Sequence, residues 1–317
     1  MIHLWTRILR FLDRALALPI ILMRFLRDVI AGHYQRYRVL RTTFSKNYLR
    51  IASYSNFQTS LWSDFNKRAE QVLLPFPNWN FLGATVLQQT MLIQKRGELL
   101  FSQQRQLIAH WGMQRALHIL NDPSFGNPPI DSLFLRTSHN TIHHASHLVT
   151  WERTAKASIA NLSTIIEWGG GYGNLARLSS RLNAHGTYII IDTPLFAQLQ
   201  WLYLSVTVPH RSVNLIMNSE QPILENAISI IPVGLISQVA IPKADLFIST
   251  WALSESSKEA QEYVAHKYWF GAQHLLLGYQ ERSQYLPDSD YLGLLAQQSG
   301  ATITPVPHLK RQYYALL

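Results

Sequence analysis

The chain contains no cysteine. Disulfide frameworks and cysteine-bound zinc are therefore excluded, and redox chemistry says nothing about the compartment. Acidic residues are scarce at the start: residues 1–70 hold twelve Lys/Arg against four Asp/Glu, so +8 of the formal +9 charge lies there. The remainder is almost neutral, which removes the basic face that a nucleic-acid-binding body needs. A long apolar run is also missing. Within the first thirty residues the longest uncharged stretch is Ala15–Met23, and Pro19 interrupts it. That falls well short of the ~20 residues that span a bilayer. No small-residue cleavage site precedes Arg24 and Arg27, so a signal peptide fits poorly.

What is present is a 47% apolar composition over 317 residues, enough for a sizeable core. In residues 1–32, Leu4, Trp5, Ile8, Leu9, Phe11 and Leu12 alternate with Arg7, Arg10 and Arg14. Such a segment either lies on an anionic membrane surface or docks on its own domain or a partner subunit. Residues 33–70 are basic and aromatic, which reads as a helical layer whose arginine stems cover apolar surface. A second helical stretch is expected from Thr85 to Leu120, and the turn-rich Asn121–Asp131 reads as a boundary. Beyond it, strands alternate with helices. Strands are expected at 162–167, 187–192, 228–233, 245–250 and 274–279, with helices at 174–182, 195–206, 258–269 and 291–298. A hairpin closes the chain at 302–306 and 313–316, its last strand antiparallel. The expectation is thus an α-helical N-terminal region, residues 1–131, followed by a mainly parallel α/β domain, residues 132–317.

The most informative segment is Ile165–Asp192, in which an apolar run ends in Glu167, a glycine-rich turn follows, and a second apolar run ends in Asp192. This is a nucleotide-binding β-α-β layout. Its glycines fall at every second position, Gly169, Gly171 and Gly173, unlike the dinucleotide fingerprint G-x-G-x-x-G. An acid two residues before the first glycine, and another 25 residues later, match instead the first motif of Rossmann-like S-adenosylmethionine methyltransferases. An unrelated glycine-rich turn and an NAD-binding variant are the competing readings.

Five blocks in order, HNTIHHASHL at 139–148, EWGGGYGNLARL at 167–178, YIIIDTP at 188–194, DLFISTWALSE at 245–255 and LGYQ at 277–280, resemble the bacterial sugar O-methyltransferase family. The resemblance covers about residues 136–317. It implies a Rossmann-like methyltransferase sheet, S-adenosylmethionine as cofactor, and a sugar hydroxyl in a glycan or secondary metabolite as acceptor. It implies cofactor contacts at Glu167, Gly169, Gly170, Gly171, Gly173, Asp192 and Thr193, with Asp192 on the ribose hydroxyls.

The histidine block has three readings: a general base, a divalent metal site, or structural and sugar-gripping hydrogen bonds. A helix puts His139, His143 and His147 on one face, with His144 beside His147. The base is expected at His144, then His143, with Glu255 as substitute; a cap for the helix after Ser257 is the plain alternative for Glu255. Metal ranks last, because no paired acids stand nearby. Ligands of such sheets bind at the carboxyl ends of strands. His147, Thr250, Trp251, Tyr279 and Gln280 are therefore expected around the acceptor. The resulting expectation is a cytoplasmic enzyme, with a homodimer or peripheral membrane contact through residues 1–32. The rival readings are a methyltransferase of a non-sugar small molecule or lipid, and a non-catalytic scaffold that retains the cofactor fold.

Overall fold

The computed structural model describes residues 2–92 and 97–317, with side chains from Ala15 onward. The apolar–arginine alternation of residues 4–14 therefore lies outside the described side chains. The chain opens with helices α1 (Ile2–Ile30), α2 (His33–Leu40), α3 (Phe44–Ile51), α4 (Ser60–Leu73), α5 (Thr85–Met91), α6 (Glu98–Trp111) and α7 (Met113–Leu120). Helix α8 (His139–Ala155) carries the histidine block. Then follow β1 (Thr164–Trp168), α9 (Asn174–Leu182), β2 (Thr187–Asp192), α10 (Pro194–Thr207), β3 (Val213–Leu215), β4 (Ile228–Pro232), β5 (Leu246–Thr250), α11 (Lys258–His266), β6 (His274–Gln280), α12 (Tyr291–Gln298), β7 (Thr302–Pro305) and β8 (Gln312–Leu316).

The eight strands form one sheet, ordered β3-β4-β2-β1-β5-β6-β8-β7. Strands β1–β6 pair in parallel, and β8 runs antiparallel to β6 and to β7. This is the expected mainly parallel α/β sheet with an antiparallel last strand. The closing hairpin does not simply add at the edge, because β8 inserts between β6 and β7. Strand order reverses between β1 and β5, and the crevice at this switch point is where such folds bind ligands.

Central strands such as β2, TYIIID, are apolar at nearly every position because helices cover both faces. Helix α10 is buried on almost all sides. Its inner side meets β2 and β4, while α2, α3 and α4 pack against it. A helix apolar all round must be enclosed, and the N-terminal helices enclose it. Tyr37, Phe44, Ile51 and Phe65 accordingly share one apolar cluster with Ile165, Ile190 and Phe196. The turn after α7 is not an exposed linker either. Asp122 is buried and accepts hydrogen bonds from Thr137 Oγ1, the Ser138 amide and Arg177 Nη2.

Some elements depart from expectation, among them the stretch from Thr85 to Leu120, which is divided into α5, α6 and α7. The helix from Lys258 stops at His266, since Tyr268, Trp269 and Phe270 take left-handed conformations with φ of 50–57°. The short strand β3 was not expected, because three residues are too few to show an alternation.

Candidate active site

A cavity of about 620 Å³ opens at the carboxyl ends of β1, β2 and β5. One wall is the glycine turn. Gly169, Gly171 and Gly173 all have positive φ, 77°, 56° and 94°, which accounts for glycine at every second position. At Gly169 a Cβ would lie 2.0 Å from Ala252 Cβ, so the turn closes against the loop after β5. At Gly171 a Cβ would meet nothing within 4 Å. That opening and Gly170 line the cavity. Gly173 does not: it caps α9 and backs onto Leu204 of α10, so its place is in packing rather than in the pocket.

Two carboxyl groups stand beside the turn. Glu167 is buried, and its Oε2 accepts a 2.9 Å hydrogen bond from the Tyr188 hydroxyl. Burial, reinforced by nearby Asp192, pushes its pKa up to about 8. Asp192 accepts from the Thr193 amide at 2.7 Å and from Gln200 Nε2 at 2.6 Å. Burial raises it to about 7 even against these hydrogen bonds. Gln200 also donates to the Gly171 carbonyl at 2.9 Å, tying the strand end to the turn. Thr193 lines the cavity, and its hydroxyl is buried without a partner.

The opposite wall carries the histidines. Helix α8 is capped by Ser138, whose side chain accepts from the Thr141 amide, and it presents His143, His144 and His147 to the cavity. Arg177 donates to Asn174 Oδ1 from Nε and Nη2, at 3.0 and 2.7 Å. A guanidinium only donates, so the Asn174 amide nitrogen must be the atom facing His144 Nδ1 at 3.2 Å. His144 Nδ1 therefore accepts, and its proton sits on Nε2. On His147, Nδ1 meets the Tyr314 hydroxyl at 2.6 Å, and Nε2 is buried without a partner. On His143, Nδ1 meets Gln103 Nε2 at 2.7 Å. Burial holds all three well below the usual imidazole range, His144 at about 4. They are neutral near pH 7. Among the described residues no group of three His, Asp or Glu side chains is arranged to hold a metal ion.

Trp251 joins the two walls. Its φ of 70° is costly for an aromatic residue. Its amide donates to the Gly278 carbonyl at 2.8 Å, and its ring lies over Gly278, where a Cβ would come within 3.1 Å. The ring stands 5.9 Å from His143 and 5.3 Å from His147, with a buried, unpartnered indole nitrogen. Glu255 accepts from Gln280 Nε2 at 3.3 Å and from the Trp62 indole, and burial lifts it to about 7. It does not cap α11; Ser257 does, through the Ala260 amide.

Of the residues expected at the site, His143, His144, His147, Glu167, Gly169, Gly170, Gly171, Asp192, Thr193, Thr250, Trp251, Glu255 and Gln280 line the same cavity. Tyr279 does not. Side chains alternate along β6, so with Gly278 under the Trp251 ring and Gln280 turned to the cavity, Tyr279 packs on Gly293 of α12 and stacks on Tyr313. Several lining residues were not expected: Asn56, Gln58, Trp62, Gln89, Asn140, Tyr172 and Gln312. Most come from elements distant in sequence, and no spacing marks them. Among the described lining residues there is no Lys or Arg.

No protein-family profile matches the chain, and neither does any curated protein. Solved structures similar to it include mitomycin 7-O-methyltransferase, at 10% identity over 92% of this chain and 96% of that one, with a TM-score of 0.38. A second is magnesium protoporphyrin IX methyltransferase from Synechocystis PCC 6803 with bound S-adenosylmethionine, at 12% identity over 71% and 97% of the two chains, TM-score 0.39. A third is fibrillarin from Aeropyrum pernix with natively bound S-adenosyl-L-methionine, at 11% identity over 50% and 67%, TM-score 0.35.

Proposed function

We propose that the chain is an S-adenosylmethionine-dependent O-methyltransferase whose acceptor is a hydroxyl of a sugar or glycan. The observation that carries the cofactor is the pair Glu167 and Asp192 in a wall without a described cation. Two recessed carboxyl groups with raised pKa values suit a ligand that brings positive charge, and they oppose a pyrophosphate. When bound, the cofactor supplies a methyl group on a positively charged sulfur. Asp192 would hold the ribose hydroxyls, Glu167 the amino end, and Gly169–Gly171 with Thr193 would line its path.

The acceptor reading rests on the rest of the lining. Side-chain amides of Asn56, Gln58, Gln89, Gln280 and Gln312, neutral imidazoles, and the faces of Trp62 and Trp251 are suited to a neutral polyhydroxylated molecule. A phosphorylated or carboxylated acceptor would lack a described counter-charge. His147, Thr250, Trp251 and Gln280 would grip it.

Glu255 is the residue we assign as base, ahead of His144 and His143. A pKa of about 7 matches the task near neutrality. His144 carries its proton on Nε2 and so donates rather than accepts; it would orient an acceptor oxygen. Positioning of that oxygen supplies much of the remaining rate enhancement.

Calorimetry with S-adenosylhomocysteine tests the cofactor: micromolar binding that Asp192→Ala weakens by about 100-fold is expected, and no binding to the parent protein overturns the reading. A screen of sugars, phenols and lipids with labelled methyl donor separates the sugar acceptor from its rivals. Binding without transfer to any acceptor would favour the scaffold reading.

A further inference from the structure

Helix α1 is turned inside out relative to an ordinary surface helix. Between Ala15 and Ile30, its charged side chains face the body. Arg24 is 3% exposed and donates to the Pro128 carbonyl at 2.9 Å; it lies 4.0 Å from the Asp122 carboxylate. Asp28 is fully buried and accepts from the Ser124 amide. Arg27 donates to the Asp122 carbonyl at 2.8 Å. The outward arc carries no charge. It consists of large apolar side chains, among them Leu16, Leu18, Leu22, Met23, Leu26 and Ile30, each at least 50% exposed. An uncharged apolar strip of this length on a free surface marks a contact site.

From this we propose that the outward face of α1 seats in the headgroup region of an anionic membrane. Two observations, the exposed bases and the lack of exposed acids, favour that occupant over a second copy of the chain. The strip is followed in sequence by exposed Arg36, Arg38, Lys46 and Arg50 on α2 and α3, with no exposed acid between Ala15 and Ser63. A two-fold interface centred on the strip would bring these like charges together, whereas an anionic surface neutralises them. No described helix is long and apolar enough to cross a bilayer, so the face lies in the surface plane. The proposal does not depend on methyl transfer.

Flotation of the full chain on vesicles tests it. Binding to phosphatidylcholine vesicles holding about 30 mol% phosphatidylglycerol is expected, with at least about tenfold less on phosphatidylcholine alone. The double variant Leu22→Glu/Leu26→Glu should lose binding to anionic vesicles by about tenfold or more. Both positions are half-exposed, so its melting temperature should match the parent's. Failure of the parent to float on anionic vesicles would overturn the proposal, as would equal flotation of a folded double variant. A parent dimer that the double variant dissociates, with no flotation of either, would assign the face to a second copy.

Discussion

The two walls of the cavity differ in charge and in origin. The wall we assign to the cofactor is built almost wholly from residues 167–193 and carries two carboxyl groups with no described cation. The wall we assign to the acceptor draws on residues from Asn56 to Gln312 and offers neutral imidazoles, amides and indoles around one carboxyl group, Glu255. A ligand that brings its own positive charge completes the first wall. On the proposed function, the second wall would select by hydrogen bonds and stacking, where an unpaired charge would be costly.

The sharpest way to break this division is to remove the one carboxyl group of the acceptor wall. Glu255→Gln should lower kcat by about 10²–10⁴ while leaving cofactor affinity within about threefold. Cofactor affinity reduced as far as kcat would place Glu255 with the cofactor. The reciprocal change, Asp192→Ala, should weaken S-adenosylhomocysteine by about 100-fold, since it removes hydrogen bonds to a charged acceptor. Calorimetry on both variants measures the contrast directly.

The carboxyl groups and the histidines of the cavity also respond to pH with opposite sign. Glu167 and Asp192 hold their protons more tightly folded than unfolded, with values of about 8 and 7 against ordinary values of 4.5 and 3.8. Their contribution to stability is full below the ordinary carboxyl range and drains as pH rises through 7–8. His143, His144 and His147 are depressed below 6.5, so their contribution is full above 6.5 and drains as pH falls, for His144 toward about 4. The ligand-free protein should therefore be most stable near pH 6. At pH 8, Glu167→Gln should stabilise it, by an amount on the order of 2 kcal/mol. Denaturant unfolding at pH 6 and 8 checks this, and a variant no more stable than the parent at pH 8 would contradict the raised carboxyl group.

The same contrast explains what the sequence disclosed. The cofactor wall is one β-α-β unit, so its glycines, Glu167 and Asp192 stand at readable spacings in a single segment. The sheet was readable for a related reason: its central strands are apolar runs covered on both faces. Gln200 escaped because its side chain reaches back eight residues to Asp192 from a helix that reads as uniformly apolar. Tyr279 was misplaced because a strand-end motif does not reveal which face each residue takes. Trp62, Gln58 and Gln89 were invisible as site residues. They reach the cavity only because the N-terminal helices fold over α10, a long-range contact that no local pattern encodes. The tautomer of His144 was equally out of reach, since it depends on how a buried arginine orients Asn174.

The smallest expected effect crosses from one region to the other. Trp62 belongs to α4, yet its indole donates to Glu255, and this hydrogen bond opposes the rise that burial causes. Trp62→Phe keeps an aromatic ring against Phe65, whose centroid lies 5.1 Å from the Trp62 ring, and removes only the donor. The ionised form of Glu255 loses a partner, so its pKa should rise further. On the assignment of Glu255 as base, the acid limb of the kcat profile should move up by about half a unit to one unit, costing severalfold at pH 7 and little at pH 9. A uniform loss across the profile would make Trp62 a packing residue. A shift of the limb with an unchanged plateau would show a helix from outside the sheet tuning the group that takes the proton.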